Sequence, residues 1–148
     1  MNNQAVILKF KDMVSDLHEM HEKYSFHEWM NLKRNDLDKE TLIKYLKFRF
    51  DFLQEEINEG RAAIDDKNAE EVVDALIDLV VVAIGTLDLF DIDTRKAWDE
   101  VHSANMTKER GMKETRKNEY GAPDLIKPEG WTAPSHEGNH GIVGEIFS

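Results

Sequence analysis

Apolar side chains at Val6, Phe10, Met13, Val14, Leu17 and Met20 recur at spacings of three and four, the period of one helical face. A first helix is predicted from residue 5 to about residue 24. Residues 24–38, aromatic and polar, read as a short helix and a turn. Asp38 can cap a long second helix over 39–64, whose last turns Gly60 weakens. Asp65-Asp66-Lys67 makes a turn, and Asn68 with Glu71 three residues on has the pattern of an N-cap and its capping-box partner. A third helix follows over 69–90. Its segment 72–84 is apolar on nearly every side, interrupted only by Asp74 and Asp78, which is the pattern of a buried helix. Asp91 or Asp93 opens a fourth helix running to about Met106. No stretch sustains a two-residue alternation, so strands are not expected.

Beyond Gly111 the chain turns polar and is broken by Gly121, Pro123, Pro128, Gly130 and Pro134. Residues 136–144 are expected to be mobile. The fold class that follows is all-α: a bundle of four to five helices, two of them carboxylate-bearing and forming a metal site, with an irregular C-terminal tail. One domain over 1–132 is long enough to bury its own core, and 133–148 is expected to be a mobile tail.

Composition narrows the chemistry. The chain has no cysteine, which excludes disulfides, thiolate zinc sites and cysteine nucleophiles. Its net charge of −11 argues against a nucleic-acid partner, which needs a basic surface, yet leaves room for a phosphorylated small substrate brought in with cations. The longest apolar run is too short to span a bilayer, so no membrane partner is expected. Residues 1–4 lack the basic start of a signal peptide, and a cytoplasmic location is expected.

Two acidic stripes stand out. Glu55, Glu56 and Glu59 fall within about one third of a helical circumference. Glu71, Asp74 and Asp78, three and four apart, form a second stripe on the most apolar helix of the chain. An isolated ionised carboxylate in a dry core does not persist. Arg49, Arg61, Lys108 and Arg110 are too few to neutralise the group, and oxygen-only ligands suit Mg²⁺ or Mn²⁺. Only a short turn separates Glu59 from Glu71, so the helices can pair antiparallel and face the stripes together. A solvated face for the glutamates, or structural salt bridges for the aspartates, is the competing account.

The residues Glu55-Glu56-x-x-Glu59 followed by Glu71-x-x-Asp74 resemble the E-E-x-x-E…E-x-x-D signature of the MazG-like all-α nucleoside triphosphate pyrophosphohydrolases. The resemblance extends through Asp78 and Gly85, through Glu100 to Lys108 with its Asn105-x-x-Lys108, and to Lys127-Pro128-Glu129-Gly130-Trp131. It implies conversion of a ribo- or deoxyribonucleoside triphosphate to the monophosphate and pyrophosphate, in control of the nucleotide pool. It also implies that Glu56, Glu59, Glu71 and Asp74 hold two or more Mg²⁺ or Mn²⁺ ions, with Asp78 as a further ligand or as a partner of one. By the same resemblance Glu55 orients or deprotonates the attacking water. Asn105, Lys108 and Arg110 would hold the phosphate chain. Lys127 and Trp131 would be further substrate contacts, Trp131 as a lid or as a surface-packed ring. His18 or Phe10 would touch the base if the first helix lines the cleft. The resemblance further implies a homodimer or a dimer of dimers.

His18 and His21, with Glu19 and Glu22, admit a metal site, but the rim of the core is the expectation for them. Phe48 and Phe52 are expected in the core, and Trp98 in the core or at a dimer contact. Three rival functions remain. A di-iron bundle wants Glu-x-x-His on two helices, whereas Asp99-x-x-His102 stands alone. A phosphoribosyl-ATP pyrophosphohydrolase shares the acidic motif, but Leu79-Val80-Val81-Val82 follows Asp78 where an aromatic–histidine pair is expected. A non-catalytic acidic dimerisation module is the third.

Overall fold

The computed structural model describes residues 11–148 apart from 117. The predicted start of the first helix over 5–10, Phe10 included, lies outside the described residues. Among them are six helices and one small hairpin: α1 (Met13–Lys23), α2 (Phe26–Asn35), α3 (Lys39–Asp65), α4 (Ala69–Leu89), α5 (Thr94–Met106), β1 (Glu109–Gly111), β2 (Asp124–Ile126) and α6 (Gly141–Ile146). The all-α class holds. None of these helices is long and apolar enough to cross a membrane.

The helix starts follow their caps. Asp12 accepts from the Ser15 backbone N–H at 2.9 Å while Ser15 Oγ accepts from that of Asp12 at 3.0 Å, closing a capping box on α1. Asp38 accepts from the Thr41 N–H at 3.1 Å on α3, and Asn68 from the Glu71 N–H at 3.2 Å on α4. Each satisfies an amide that the first helical turn leaves without an intrahelical partner.

The chain folds into two compact units, Met1–Thr94 with His140–Ser148, and Arg95–Asn139. In the first, α3 and α4 form the main antiparallel pair, with α1 and α2 packed beside it. Its core is Met30, Leu42, Leu89, Phe90, Ile142 and Ile146, at the end where α4 finishes and α3 begins. The second unit holds most of α5 and the β1–β2 hairpin, in register Arg110↔Leu125.

Four expectations are corrected. The tail is not mobile throughout: α6 buries Ile142 and Ile146 in the core, the i, i+4 pair of one helical face. Gly141 makes this docking possible. Its φ is +53°, and a Cβ there would sit 2.1 Å from the Phe90 carbonyl oxygen, which accepts from the Ile142 N–H at 2.7 Å. Arg34 reinforces it by pairing with Glu145 and with Asp91. Strands do occur, but three residues are too few to display a period. Helix α4 is not covered on every side either: among the described residues Val73, Leu76 and Ile77 remain 62%, 59% and 55% exposed. Phe48, also expected in the core, is exposed, and Trp98 lies outside the core of its own chain.

Candidate active site

Glu56 on α3 lies near Asp74 and Asp78 on α4. Gly60, expected only to weaken α3, instead lies close against Ala75: a Cβ on Gly60 would be 3.3 Å from that of Ala75. Ala63 and Ala75 are both buried. Small residues on both helices let the backbones approach, and the side chains one turn away converge.

Glu56 is the centre of that convergence. It is only 7% exposed, and among the described residues its Oε2 has no hydrogen-bond partner. Burial, then the charges of Glu59, Asp78 and Asp74, raise its pKa above the ordinary carboxylate range. Desolvation and like charge act in the same direction here. Glu55 lies exposed beside Glu56 on α3, and Glu71 lies exposed in the first turn of α4. Arg49, on the same helix, is committed elsewhere: it is buried and donates from Nε to Thr86 Oγ1 at 2.9 Å and from Nη2 to the Val82 carbonyl at 3.1 Å.

A buried carboxylate oxygen without a donor calls for a cation or a proton. Four oxygen donors on two facing helices fit hard divalent cations. Among the described residues these carboxylates do not bring three ligand atoms within 4.8 Å of one another.

The residues expected to hold phosphate lie in the second unit. Trp131 Nε1 donates to the Ala104 carbonyl at 2.9 Å, and Lys108 Nζ and Lys127 Nζ stand 5.3 and 4.9 Å from its ring centre. A cavity of about 440 Å³ lies beside this ring, lined by Ser103, Thr107 and 128–134 among others. The Asn105 side chain is exposed, while its carbonyl accepts from the Lys108 N–H at 3.1 Å. Arg110 sits in β1, exposed. Lys108, Lys127 and Trp131 are thus brought together within their unit.

One constellation escaped the sequence reading. Asp88, near the end of α4, accepts from His18 Nδ1 at 2.8 Å on Oδ1, and from His21 Nδ1 and His27 Nε2 at 2.6 Å each on Oδ2. The other nitrogen of His27 faces Glu22. Burial pushes the Asp88 carboxyl upward, but the hydrogen bonds from His21, His27 and His18 outweigh it and hold the group well below the usual range. His27 is raised, chiefly by its bond to Asp88. Gly85 leaves room for this packing: a Cβ there would meet Arg49 Nη2 at 3.0 Å and His21 Cε1 at 3.2 Å. The missed signal was an acid inside the apolar stretch 84–90, of the kind that drew notice to Asp74 and Asp78.

Residues 23–105, more than half of the chain, match a protein-family model, that of phosphoribosyl-ATP pyrophosphohydrolase. The match takes in α2, α3, α4 and nearly all of α5, hence both carboxylate stripes. No curated protein matches the chain.

Proposed function

The chain belongs to the phosphoribosyl-ATP pyrophosphohydrolase family, and we propose that it hydrolyses nucleoside triphosphates to monophosphate and pyrophosphate, the reaction implied by the resemblance of its two acidic stripes to the MazG-like signature. It is a pyrophosphohydrolase acting on nucleotide phosphoanhydride bonds, in a family within the MazG-like all-α superfamily.

The observation that carries the reading is Glu56, buried and partnerless on one oxygen among Glu59, Asp74 and Asp78. Glu56, Glu59, Glu71 and Asp74 are the residues that would hold Mg²⁺ or Mn²⁺, with Asp78 beside them. When bound, two or more such cations supply the positive charge that a polyphosphate needs in this acidic cleft. Glu55, exposed next to the cluster, orients the attacking water and takes its proton. Phosphoryl transfer to water needs positioning and charge neutralisation more than a protein nucleophile, and the chain has no cysteine to offer one.

Lys108, with Asn105 and Arg110, would steady the phosphate chain as point charges and donors. Lys127 and Trp131, clustered with Lys108, are in keeping with that role. The exposed Val73, Leu76 and Ile77 support a homodimer or a dimer of dimers, because contiguous apolar patches of this kind mark interfaces. The absence of cysteine suits a cytoplasmic setting.

A second reading is favoured by the matched model itself: the substrate is phosphoribosyl-ATP, cleaved at the same anhydride. Against it, Leu79-Val80-Val81-Val82 follows Asp78 in place of an aromatic–histidine pair. A panel of ribo- and deoxyribonucleoside triphosphates together with phosphoribosyl-ATP, each with Mg²⁺ and with Mn²⁺, separates the two. The proposal expects a higher kcat/KM for at least one common triphosphate than for phosphoribosyl-ATP. The reverse order transfers the assignment to the second reading.

A further inference from the structure

The histidines around Asp88 offer donors of a different kind from the oxygen-only cleft. We propose that His18, His27 and Asp88 form a binding site for one divalent transition ion of the Zn²⁺ class, with His21 and Glu22 as the residues that orient the ligands.

Geometry is the first support. One nitrogen of His18, one of His27 and one oxygen of Asp88 all lie within 4.8 Å of one another. Around a tetrahedral Zn²⁺ with bonds of about 2.0–2.2 Å, ligand atoms sit roughly 3.3 Å apart, so the Asp88 oxygens, 2.8 Å from His18 Nδ1 and 2.6 Å from His27 Nε2, need to draw back only slightly to admit an ion. The His18 and His27 rings are already adjacent, with centres 4.5 Å apart.

The surroundings supply what ligating groups need. A metal-bound imidazole usually donates its other N–H to a carboxylate, which fixes the tautomer and the ring. Glu22 stands at His27 Nδ1, which directs the Nε2 lone pair toward Asp88 and His18. His21, its side chain 2% exposed, donates from Nδ1 to Asp88 Oδ2 and holds the carboxylate in place. Two carboxylates against neutral imidazoles leave a net negative pocket for a dication. Without metal, a proton on His27 bridges Glu22 and Asp88 instead, so metal and proton compete for one position.

Access and selectivity are also provided. The His18 and His27 side chains are 20% and 17% exposed. A cavity of about 450 Å³, lined by Glu22, His27 and Asn31 among others, opens beside His27. Imidazole donors favour Zn²⁺, Co²⁺ or Ni²⁺, whereas Mg²⁺ prefers oxygen and octahedral geometry. The site spans α1, the first turn of α2 and the end of α4, so an ion there would clasp three helices.

The test uses the full chain, stripped with EDTA, then placed in excess Mg²⁺ so that the oxygen cleft is saturated. One equivalent of Zn²⁺ should raise Tm by about 5 °C, and Co²⁺ should give visible absorption bands that saturate at one equivalent. His27→Gln should abolish both signals. Glu22→Gln, at a side chain 53% exposed and therefore safe for folding, should weaken Zn²⁺ binding by about ten- to a hundredfold. Glu56→Gln should leave both signals intact, which keeps this result separate from the fate of the hydrolase reading. A Zn²⁺ effect that survives both His27→Gln and Glu22→Gln, one that vanishes in Glu56→Gln, or no effect at one equivalent would each overturn the site.

Discussion

Glu56 and Asp88 are both buried carboxylates on the same helical pair, yet their surroundings drive them in opposite directions. Glu56 has an oxygen without a partner and three acidic neighbours, and its pKa rises. Asp88, its side chain 9% exposed, receives three imidazole N–H groups, and its pKa falls despite the desolvation. Burial alone therefore does not say what a carboxylate is for; the donors facing it do. Without metal, Asp88 is satisfied by the histidines of its own chain, which tie α1 and α2 to α4. Glu56 is not, and a group left unsatisfied in a well-packed fold points to something bound during function.

The largest expected effect removes the unsatisfied member. Glu56→Gln or Asp74→Asn should lower kcat/KM for pyrophosphate release by about 10²–10⁴, equivalent to roughly 2.7–5.4 kcal/mol, without unfolding the metal-free protein. If steady-state kinetics show wild-type turnover, Glu56 is a structural acid and the contrast collapses.

Next in size is Asp88→Asn, which strips the acceptor from three histidines. Urea denaturation without metal should show a loss of about 1–3 kcal/mol, and Tm should fall by about 2–4 °C for each of these. A variant as stable as the wild type would show that the histidines find other partners.

Acidity sharpens the comparison further. In EDTA, His27 has a folded pKa above its ordinary 6.5; its contribution is complete below 6.5 and is lost as pH rises through the folded value. Asp88 has the opposite sense: its contribution is present above 3.8 and fades as pH falls through the depressed value. Glu56, raised above 4.5, costs stability as pH rises past its folded value. Melting curves from pH 3 to 9 should accordingly flatten on the alkaline side in His27→Gln. A profile unchanged by that substitution would contradict the assignment.

The smallest effect is the response to Mg²⁺. Millimolar Mg²⁺ should raise the Tm of the wild type by a few degrees, less so in Glu71→Gln or Asp74→Asn, and the metal-free variants should be as stable as the wild type or more so. A Glu71→Gln variant that keeps the full rise would take Glu71 out of the cation set.

Much of this was legible in the sequence because it is local. Asp38 and Asn68 announce the starts of α3 and α4, and they do so within one turn of the chain. The approach of Glu56 to Asp74 and Asp78 followed from the short turn between Glu59 and Glu71. What could not be read depends on distant pairs. Gly60 looks like a weak point until Ala75 is seen against it. Ile142 and Ile146 look like residues of a loose tail until Gly141 lets them reach Phe90. His18, His21 and His27 gain their meaning from Asp88, about 60–70 positions away. The apolar run of α4 suggested burial, but whether Val73, Leu76 and Ile77 are covered depends on what stands beside them and not on the helix itself.

The most direct test of the central claim is a product analysis: nucleoside triphosphates and phosphoribosyl-ATP incubated with the wild type and with Glu56→Gln, in Mg²⁺ and in EDTA, with pyrophosphate resolved from orthophosphate. Monophosphate and pyrophosphate in equal amounts, formed only by the wild type and only with metal, is the predicted result. Stepwise orthophosphate release with accumulating diphosphate, or the same turnover in EDTA, would contradict it.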